Sequence, residues 1–206
     1  MISLDPIIRR IEQLSGSQRV TVIGLDGLGG AGKSTLARQL CAQLQSSGRT
    51  VLLLHIDDFI HPRAVRYNAS HPEWVCYYDL QWRFDYFAEI IHQIKACSEP
   101  SISIDLYDKV DDTYITYRYD LDDHVIVLAE GIFLQRKEYD GLFDCMVYMD
   151  VPEELRLRRV LKRDTYIGTE QEIAAKYISR YFPAERQYLQ EYQPQMRADF
   201  CLTVSE

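Results

Sequence analysis

Residues Gly27-Leu28-Gly29-Gly30-Ala31-Gly32-Lys33-Ser34-Thr35 fit the pattern G-x-x-x-x-G-K-[ST], a phosphate-binding loop between a strand and a helix. The flanks suit that reading. Val20-Thr21-Val22-Ile23-Gly24-Leu25 predicts a short buried strand, and Ser34 to Gln45 predicts a helix with Leu36, Leu40 and Leu44 at spacing four. A strand that turns sharply into a helix points the helix's first N–H groups at the turn. Such a nest binds anions, because glycines let the backbone approach and the helix N-terminus carries partial positive charge. Gly27, Gly29, Gly30, Ala31, Gly32, Lys33, Ser34 and Thr35 are thus expected to cradle a nucleotide's phosphates. Lys33 is expected to reach the β- and γ-phosphates, and the Ser34 hydroxyl to ligate Mg²⁺.

Gly27, Gly29 and Gly32 also spell G-x-G-x-x-G, a dinucleotide fingerprint, with Asp57 at the end of the next strand. Lys33 and Ser34 weigh against it, since a dinucleotide site needs no lysine and hydroxyl directly after the third glycine.

The chain's 206 residues suggest one domain with a lid. A net charge of −8 argues against a general affinity for nucleic acid or anionic membranes. It does not argue against one nucleotide held by local groups. Cys41, Cys76, Cys97, Cys145 and Cys201 are scattered and lack a C-x-x-C pair. Five reduced thiols in a cytoplasmic protein are expected. No apolar run reaches membrane-spanning length, and Met1 to Leu14 has no signal-peptide core.

A leading helix over 6–14 is predicted, then strands over 20–25, 50–56, 124–129, 145–149 and 199–204. Residues 61–80 read as a loop or irregular helix, 81–97 as a helix, and 102–106 with 113–119 as a hairpin. Pro152 to Lys162 reads as a helix, and Thr169 with Glu172 as a capping box for a helix ending near Tyr181. The alternation predicts an α/β sheet with helices on both faces, a three-layer arrangement.

Asp57 and Glu130 each follow a predicted strand. In a parallel sheet, ligands gather beyond the strands' carboxyl ends, where the glycine loop also lies. Asp57 is therefore expected to act as base on an attacking hydroxyl and to stand near metal and substrate. Glu130 is expected in the outer metal shell, also facing substrate. Asp58 stands open to either role. Arg156, Arg159 and Arg163 share one helix face, followed by Asp164-Thr165-Tyr166-Ile167-Gly168. They predict a closing lid over about 156–172. Arg159 and Arg163 would stabilise the transferring group, and Arg156 would touch the nucleotide.

Taken in order, GLGGAGKST, DDF after the second strand, YDLQWRFD, LYD, EGIF, RLRRVLKRD and ADF resemble the uridine kinase group of P-loop small-molecule kinases, with phosphoribulokinase-like and pantothenate kinase-like relatives. The resemblance spans about 20–204. It implies a P-loop kinase fold with a five-stranded parallel core, ATP or another nucleoside triphosphate as donor, and Mg²⁺. It implies Asp57 as catalytic aspartate, Asp79 as a holder of ribose hydroxyls, Tyr107 as a substrate-pocket tyrosine, and the arginine helix as lid. Segments of about 60–82 and 102–120 would form the substrate side. One departure stands out: where uridine-cytidine kinases carry a base-reading histidine, this chain has Lys109-Val110-Asp111-Asp112-Thr113.

Leu14-Ser15-Gly16-Ser17-Gln18 precedes the glycine loop, the wrong order for a transporter ATPase signature. The sole asparagine, Asn68, rules out an N-K-x-D guanine motif. The five histidines show no zinc spacing. The expected function is ATP- and Mg²⁺-dependent phosphoryl transfer to a hydroxyl of a small metabolite, foremost a nucleoside 5′-hydroxyl. Alternatives are a non-nucleoside acceptor (pantothenate, glycerate or sugar type) and a nucleotide-binding regulatory ATPase. A homo-oligomer stays open.

Overall fold

The computed structural model describes residues 3–96 and 99–204. Cys97, the expected end of a helix, lies outside them. The strands in chain order are β1 (Val20–Gly27), β2 (Thr50–His55), β3 (Ser101–Asp108), β4 (Thr113–Asp120), β5 (Val125–Gly131), β6 (Cys145–Asp150) and β7 (Phe200–Thr203). Five of them form a parallel sheet in the order β2-β5-β1-β6-β7. β3 and β4 pair antiparallel as a separate hairpin, from Ser101 opposite Asp120 to Asp108 opposite Thr113.

The helices α1 (Asp5–Ser15), α2 (Lys33–Ser46), α3 (Arg63–Arg66), α4 (Glu73–Asp79) and α5 (Phe84–Ala96) precede the hairpin. After β6 come α6 (Glu153–Arg163) and α7 (Glu170–Lys176), then a π-helical turn Tyr177–Tyr181, α8 (Phe182–Tyr192) and α9 (Pro194–Arg197).

Strand periodicity sends alternate side chains to opposite faces. Ile23 and Leu25 of β1 join Ile126 and Leu128 of β5 against Ile7 and Ile11 of α1 and Leu36, Leu40 and Leu44 of α2. Val22, Val125 and Val127 face the other way, among Phe87, Ile90, Ile91 and Ile94 of α5. Each fully buried side chain of this size contributes about 1.5–3 kcal/mol, so α5 is held by its stripe more than by its own propensity. Because both faces are covered, β5 is buried along its whole length and reads as a continuous apolar run.

Register places the working edge. β2 pairs with β5 from Thr50–Val125 to His55–Glu130, and β1 pairs with β5 up to Asp26–Gly131. His55, Glu130 and the start of the glycine loop therefore end at the same level. Glu130 lies inside β5, which runs two residues beyond the expected end at Ala129.

Two expectations need revision. Residues 61–80 contain two short helices, α3 and α4. The helix capped by Thr169 is α-helical only to Lys176, then widens into the π turn, and α8 continues to Tyr192. Pro183 follows directly on the π turn inside this continuous helical run, and because it has no N–H to donate to the preceding turn, a break in the regular α-helical ladder falls there.

Candidate active site

Beyond the ends of β1, β2 and β5 lies a cavity of about 570 Å³ lined by the glycine loop, Asp57, Glu130 and residues of α3, the 163–166 segment and the π turn. That volume suits a small ligand and its phosphates. A second hollow, along α5 and lined by Asp85, Ala88, Glu89, His92, Gln93 and Ala96, includes neither the glycine loop nor the strand-end carboxylates.

The glycine loop is held in a conformation few residues can adopt. Gly30 has φ +79°, and a Cβ there would lie 2.8 Å from Val160 Cγ1 and 2.9 Å from the Arg156 carbonyl oxygen. The loop is packed that closely onto α6. Lys33 opens α2, and its Nζ donates to the Leu28 carbonyl at 3.1 Å. Burial lowers the Lys33 pKa, while Glu130, Asp26 and Asp57 pull it back up. The Thr35 and Leu36 N–H groups donate to the Gly32 carbonyl at 3.0 and 3.1 Å, and the amides before Thr35 are those that a helix start leaves without an intrahelical acceptor.

Ser34 Oγ donates to Glu130 Oε1 at 3.1 Å, and His55 Nδ1 lies 2.6 Å from the same oxygen. Burial pushes the Glu130 carboxyl up. The His55 hydrogen bond and the Lys33 charge outweigh it, so the net value falls below the ordinary one. The same hydrogen bond, against the opposing pull of burial, raises His55. His55 was not foreseen. The signal exists only in the register, which sets it beside Glu130 on the neighbouring strand.

Asp57 lies in a 3₁₀ turn, Ile56–Asp58, after β2. Gly131 has no side chain where a Cβ would collide with Ile56 Cγ2, so this turn can close onto β5. Asp57 Oδ1 accepts from the buried Trp82 Nε1 at 3.3 Å and lines the cavity.

The arginines of α6 are placed differently from expectation. Arg156 is 3% exposed and donates to the carbonyls of Val151 and Gly29 and to Glu185 Oε2 at 2.7 Å. Its guanidinium braces the loop from behind instead of facing the cavity. Arg159 Nη1 donates to the Gly30 and Ala31 carbonyls at 3.3 and 3.0 Å. Only Arg163 of the three lines the cavity, paired with Asp164 at 2.6 Å. Two of the three supposed lid arginines are therefore tied to loop backbone.

Glu185 of α8, also unforeseen, accepts from the Gly29 N–H at 2.9 Å through its other oxygen. The Gly29 amide, expected to meet phosphate, is thus occupied by a carboxylate. Burial raises the Glu185 pKa against the pull of Arg156. Thr35 is exposed and accepts from Arg38 at 3.4 Å.

Asp79 is not brought to this cavity. Its Oδ1 accepts from Arg136 at 3.3 Å, and it lines a separate hollow with Glu138 and Glu191. Its place at the end of α4 turns it toward Arg136, which also holds the Tyr78 carbonyl. Tyr107 is 7% exposed and stands behind the cavity wall. Its hydroxyl accepts from Arg66 at 2.8 Å and donates to Asp112 at 2.6 Å. Arg66 and Arg180 line the cavity instead; each is a lone arginine, Arg66 in the unpatterned 61–80 stretch and Arg180 near the end of a predicted helix, and neither belongs to a motif.

A glycine loop closing a parallel strand, with carboxylates at the neighbouring strand ends, defines a nucleotide-binding phosphotransferase, here a small-molecule kinase. The family model for the phosphoribulokinase/uridine kinase family matches residues 22–202, and the chain belongs to that family. It is 25% identical to the uridine kinase of Clostridium tetani (strain Massachusetts / E88) over 156 residues, 72% of this chain and 69% of that protein. The uridine kinase of Staphylococcus aureus (strain JH9) is 27% identical over 146 residues, covering 70% and 69%. Among solved structures, a possible uridine kinase from Bacillus stearothermophilus superposes with a TM-score of 0.74 at 33% identity, covering 96% of this chain and 99% of that one. D-glycerate 3-kinase from Cryptococcus neoformans shares the fold, with a TM-score of 0.67 at 11% identity, covering 88% and 87%.

Proposed function

We propose that the chain transfers the terminal phosphoryl group of ATP to a hydroxyl of a small metabolite, with Mg²⁺. The observation that carries this reading is the convergence of Lys33, Ser34, Glu130 and Asp57 on one cavity at the sheet's carboxyl edge. Lys33 and the loop amides other than Gly29, whose N–H is held by Glu185, hold the donor phosphates. The metal-facing donor set is a hydroxyl and carboxylates, Ser34, Glu130 and Asp57, which suits a hard cation that shares its shell with phosphates and water. These residues would hold Mg²⁺, whose chemistry there would be to offset phosphate charge.

Asp57 takes the acceptor proton, and the Trp82 hydrogen bond orients its carboxylate for that task. The cavity lining supports Asp57 over Asp58, which does not line it. Arg163 approaches the transferring group from the end of α6. The segment 164–168, with Tyr166 81% exposed at the cavity mouth and Gly168 at φ +145°, closes over the bound pair.

The relatives' names favour a nucleoside 5′-hydroxyl as acceptor. The cavity does not favour it: Asp79 and Tyr107, the residues the resemblance assigns to the nucleoside, do not line it. The test is incubation with Mg-ATP and a panel of nucleosides, hydroxy acids, sugars and sugar phosphates, with phosphorylated product read by mass. Transfer to one class supports the reading. Hydrolysis of ATP with no transfer, stimulated by a protein partner, would support the regulatory ATPase instead.

A further inference from the structure

We propose that the acceptor carries an anionic oxygen group, a carboxylate or a phosphate, and that Arg66 and Arg180 hold it. The inference rests on the kinase reading and adds the acceptor's chemical class.

Four arginines are buried among the described residues: Arg66, Arg136, Arg156 and Arg180. Arg136 pairs with Asp79 and Glu138, and Arg156 with Glu185. Arg66 and Arg180 form no ion pair among the described residues, and both line the cavity. Arg180, 2% exposed, donates only to neutral oxygens: the Glu73 and Arg66 carbonyls at 3.1 Å each and Gln81 Oε1 at 3.2 Å. Arg66 donates to the Tyr107 hydroxyl, and its Nε is buried with no partner. The Tyr67 ring lies 5.2 Å from Arg66 and 4.6 Å from Arg180. A ring face offsets part of a cation's charge and accepts no strong hydrogen bond from it.

A buried guanidinium without a counter-charge is costly. Two of them, joined through the Arg66 carbonyl and flanking the same Tyr67 ring in a chain of net charge −8, mark a place where the missing charge arrives with a ligand. Arg63, on the same short helix as Arg66, and Lys109, whose carbonyl accepts from Arg63, also line the cavity and add cationic charge. Asp112 feels the Arg66 charge only across the Tyr107 hydroxyl, and its carboxylate is already engaged by that hydroxyl and the Arg63 backbone N–H. The planar fork of arginine matches carboxylate and phosphate geometry.

The position belongs to the acceptor. The partners of Arg180 come from α3, α4 and Gln81, not from the glycine loop. Gln81 is joined in sequence to Trp82, the residue that holds Asp57. An anion on the arginine pair therefore leaves a hydroxyl elsewhere on the same molecule free to meet Asp57.

The test is calorimetric titration of the protein saturated with Mg-ADP. The titrants are glycerate against glycerol, ribose 5-phosphate against ribose, uridine, and inorganic phosphate. At least one anionic compound is expected to bind about tenfold or more tightly than its neutral partner, the equivalent of one charge-assisted hydrogen bond. The glycerate and ribose 5-phosphate arms separate a carboxylate from a phosphate. Arg66→Gln and Arg180→Gln are expected to remove that preference while Mg-ADP affinity changes by less than about twofold. Should a variant fail to fold, the wild-type pairs still decide. Equal or tighter binding of the neutral partners or of uridine, or no binding by any anionic compound, overturns the inference. Loss of Mg-ADP binding itself would instead overturn the kinase reading.

Discussion

Asp57 and Glu185 are both acids at the rim of the glycine loop's cavity, and their surroundings give them different work. Asp57 is exposed and oriented by Trp82, ready to accept a proton. Asp57→Asn keeps the shape and removes the base, so transfer should slow by about 10²- to 10⁴-fold while Mg-ATP affinity stays close to wild type. Single-turnover kinetics check this, and wild-type rates would withdraw the base assignment. Glu185 is 1% exposed and is the counter-charge of Arg156. Glu185→Ala strands a buried cation and should cost about 3–5 kcal/mol, roughly 6–20 °C in Tm. Glu185→Gln, which keeps an acceptor for the Gly29 N–H, should cost less. Urea titration of the two variants distinguishes a brace from a bystander. The roles of Lys33, Ser34, Asp57 and Glu130 could be proposed from local spacing and strand ends. Glu185 could not, because its partner Gly29 is 156 positions away and no periodicity connects them. Arg66, Arg180 and His55 are of the same kind: each acquires meaning only through neighbours that the fold supplies.

At the scale of elements, the glycine loop is as much a packing device as a binding one. Gly30→Ala forces a Cβ into Val160 and the Arg156 carbonyl from a positive φ. It should abolish detectable Mg-nucleotide binding, measured by calorimetry, and lower Tm together. The capping box at α7 is a separate matter. Glu172 Oε2 accepts from the Thr169 N–H at 2.7 Å and from its hydroxyl, and those bonds hold the Glu172 carboxyl below its ordinary value of 4.5. A depressed carboxyl stabilises above its unfolded value and loses that contribution as pH falls through the folded one. Amide-exchange protection at the start of α7 should therefore drop as pH falls below 4.5, and Thr169→Ala should lose it at neutral pH. Protection unchanged in Thr169→Ala would show that packing, not the cap, holds this helix start. The strands, the hairpin and this cap were legible because each has a local signature: apolar runs, alternation, and Thr169 with Glu172 three residues on. The π turn was not, since it stretches the buried spacing from four between Ile173 and Tyr177 to five between Tyr177 and Phe182, and in sequence a broken period reads as the end of a helix. Nor were α3 and α4, each too short to show a period.

For the whole molecule, parallel register brings chain segments from three strands to one edge, and the helices behind them fix the cations. No helix among the described residues is long and apolar enough to cross a membrane. The overall charge of −8 contrasts with a cavity rich in arginine and lysine, which would draw anionic ligands inward against a repelling exterior. Bound nucleotide should stabilise the fold by mass action, by about 2.7 kcal/mol at a hundredfold excess over Kd, or roughly 5–10 °C in a thermal melt. The central claim is that the loop from Gly27 to Thr35 seats a nucleoside triphosphate. It is tested most directly by calorimetric titration of the wild-type chain and Lys33→Ala with Mg-ATP. The expected result is one nucleotide per wild-type chain and a much weaker isotherm for Lys33→Ala. No binding of any Mg-nucleotide by the wild type, or saturation by NADH in its place, would contradict it.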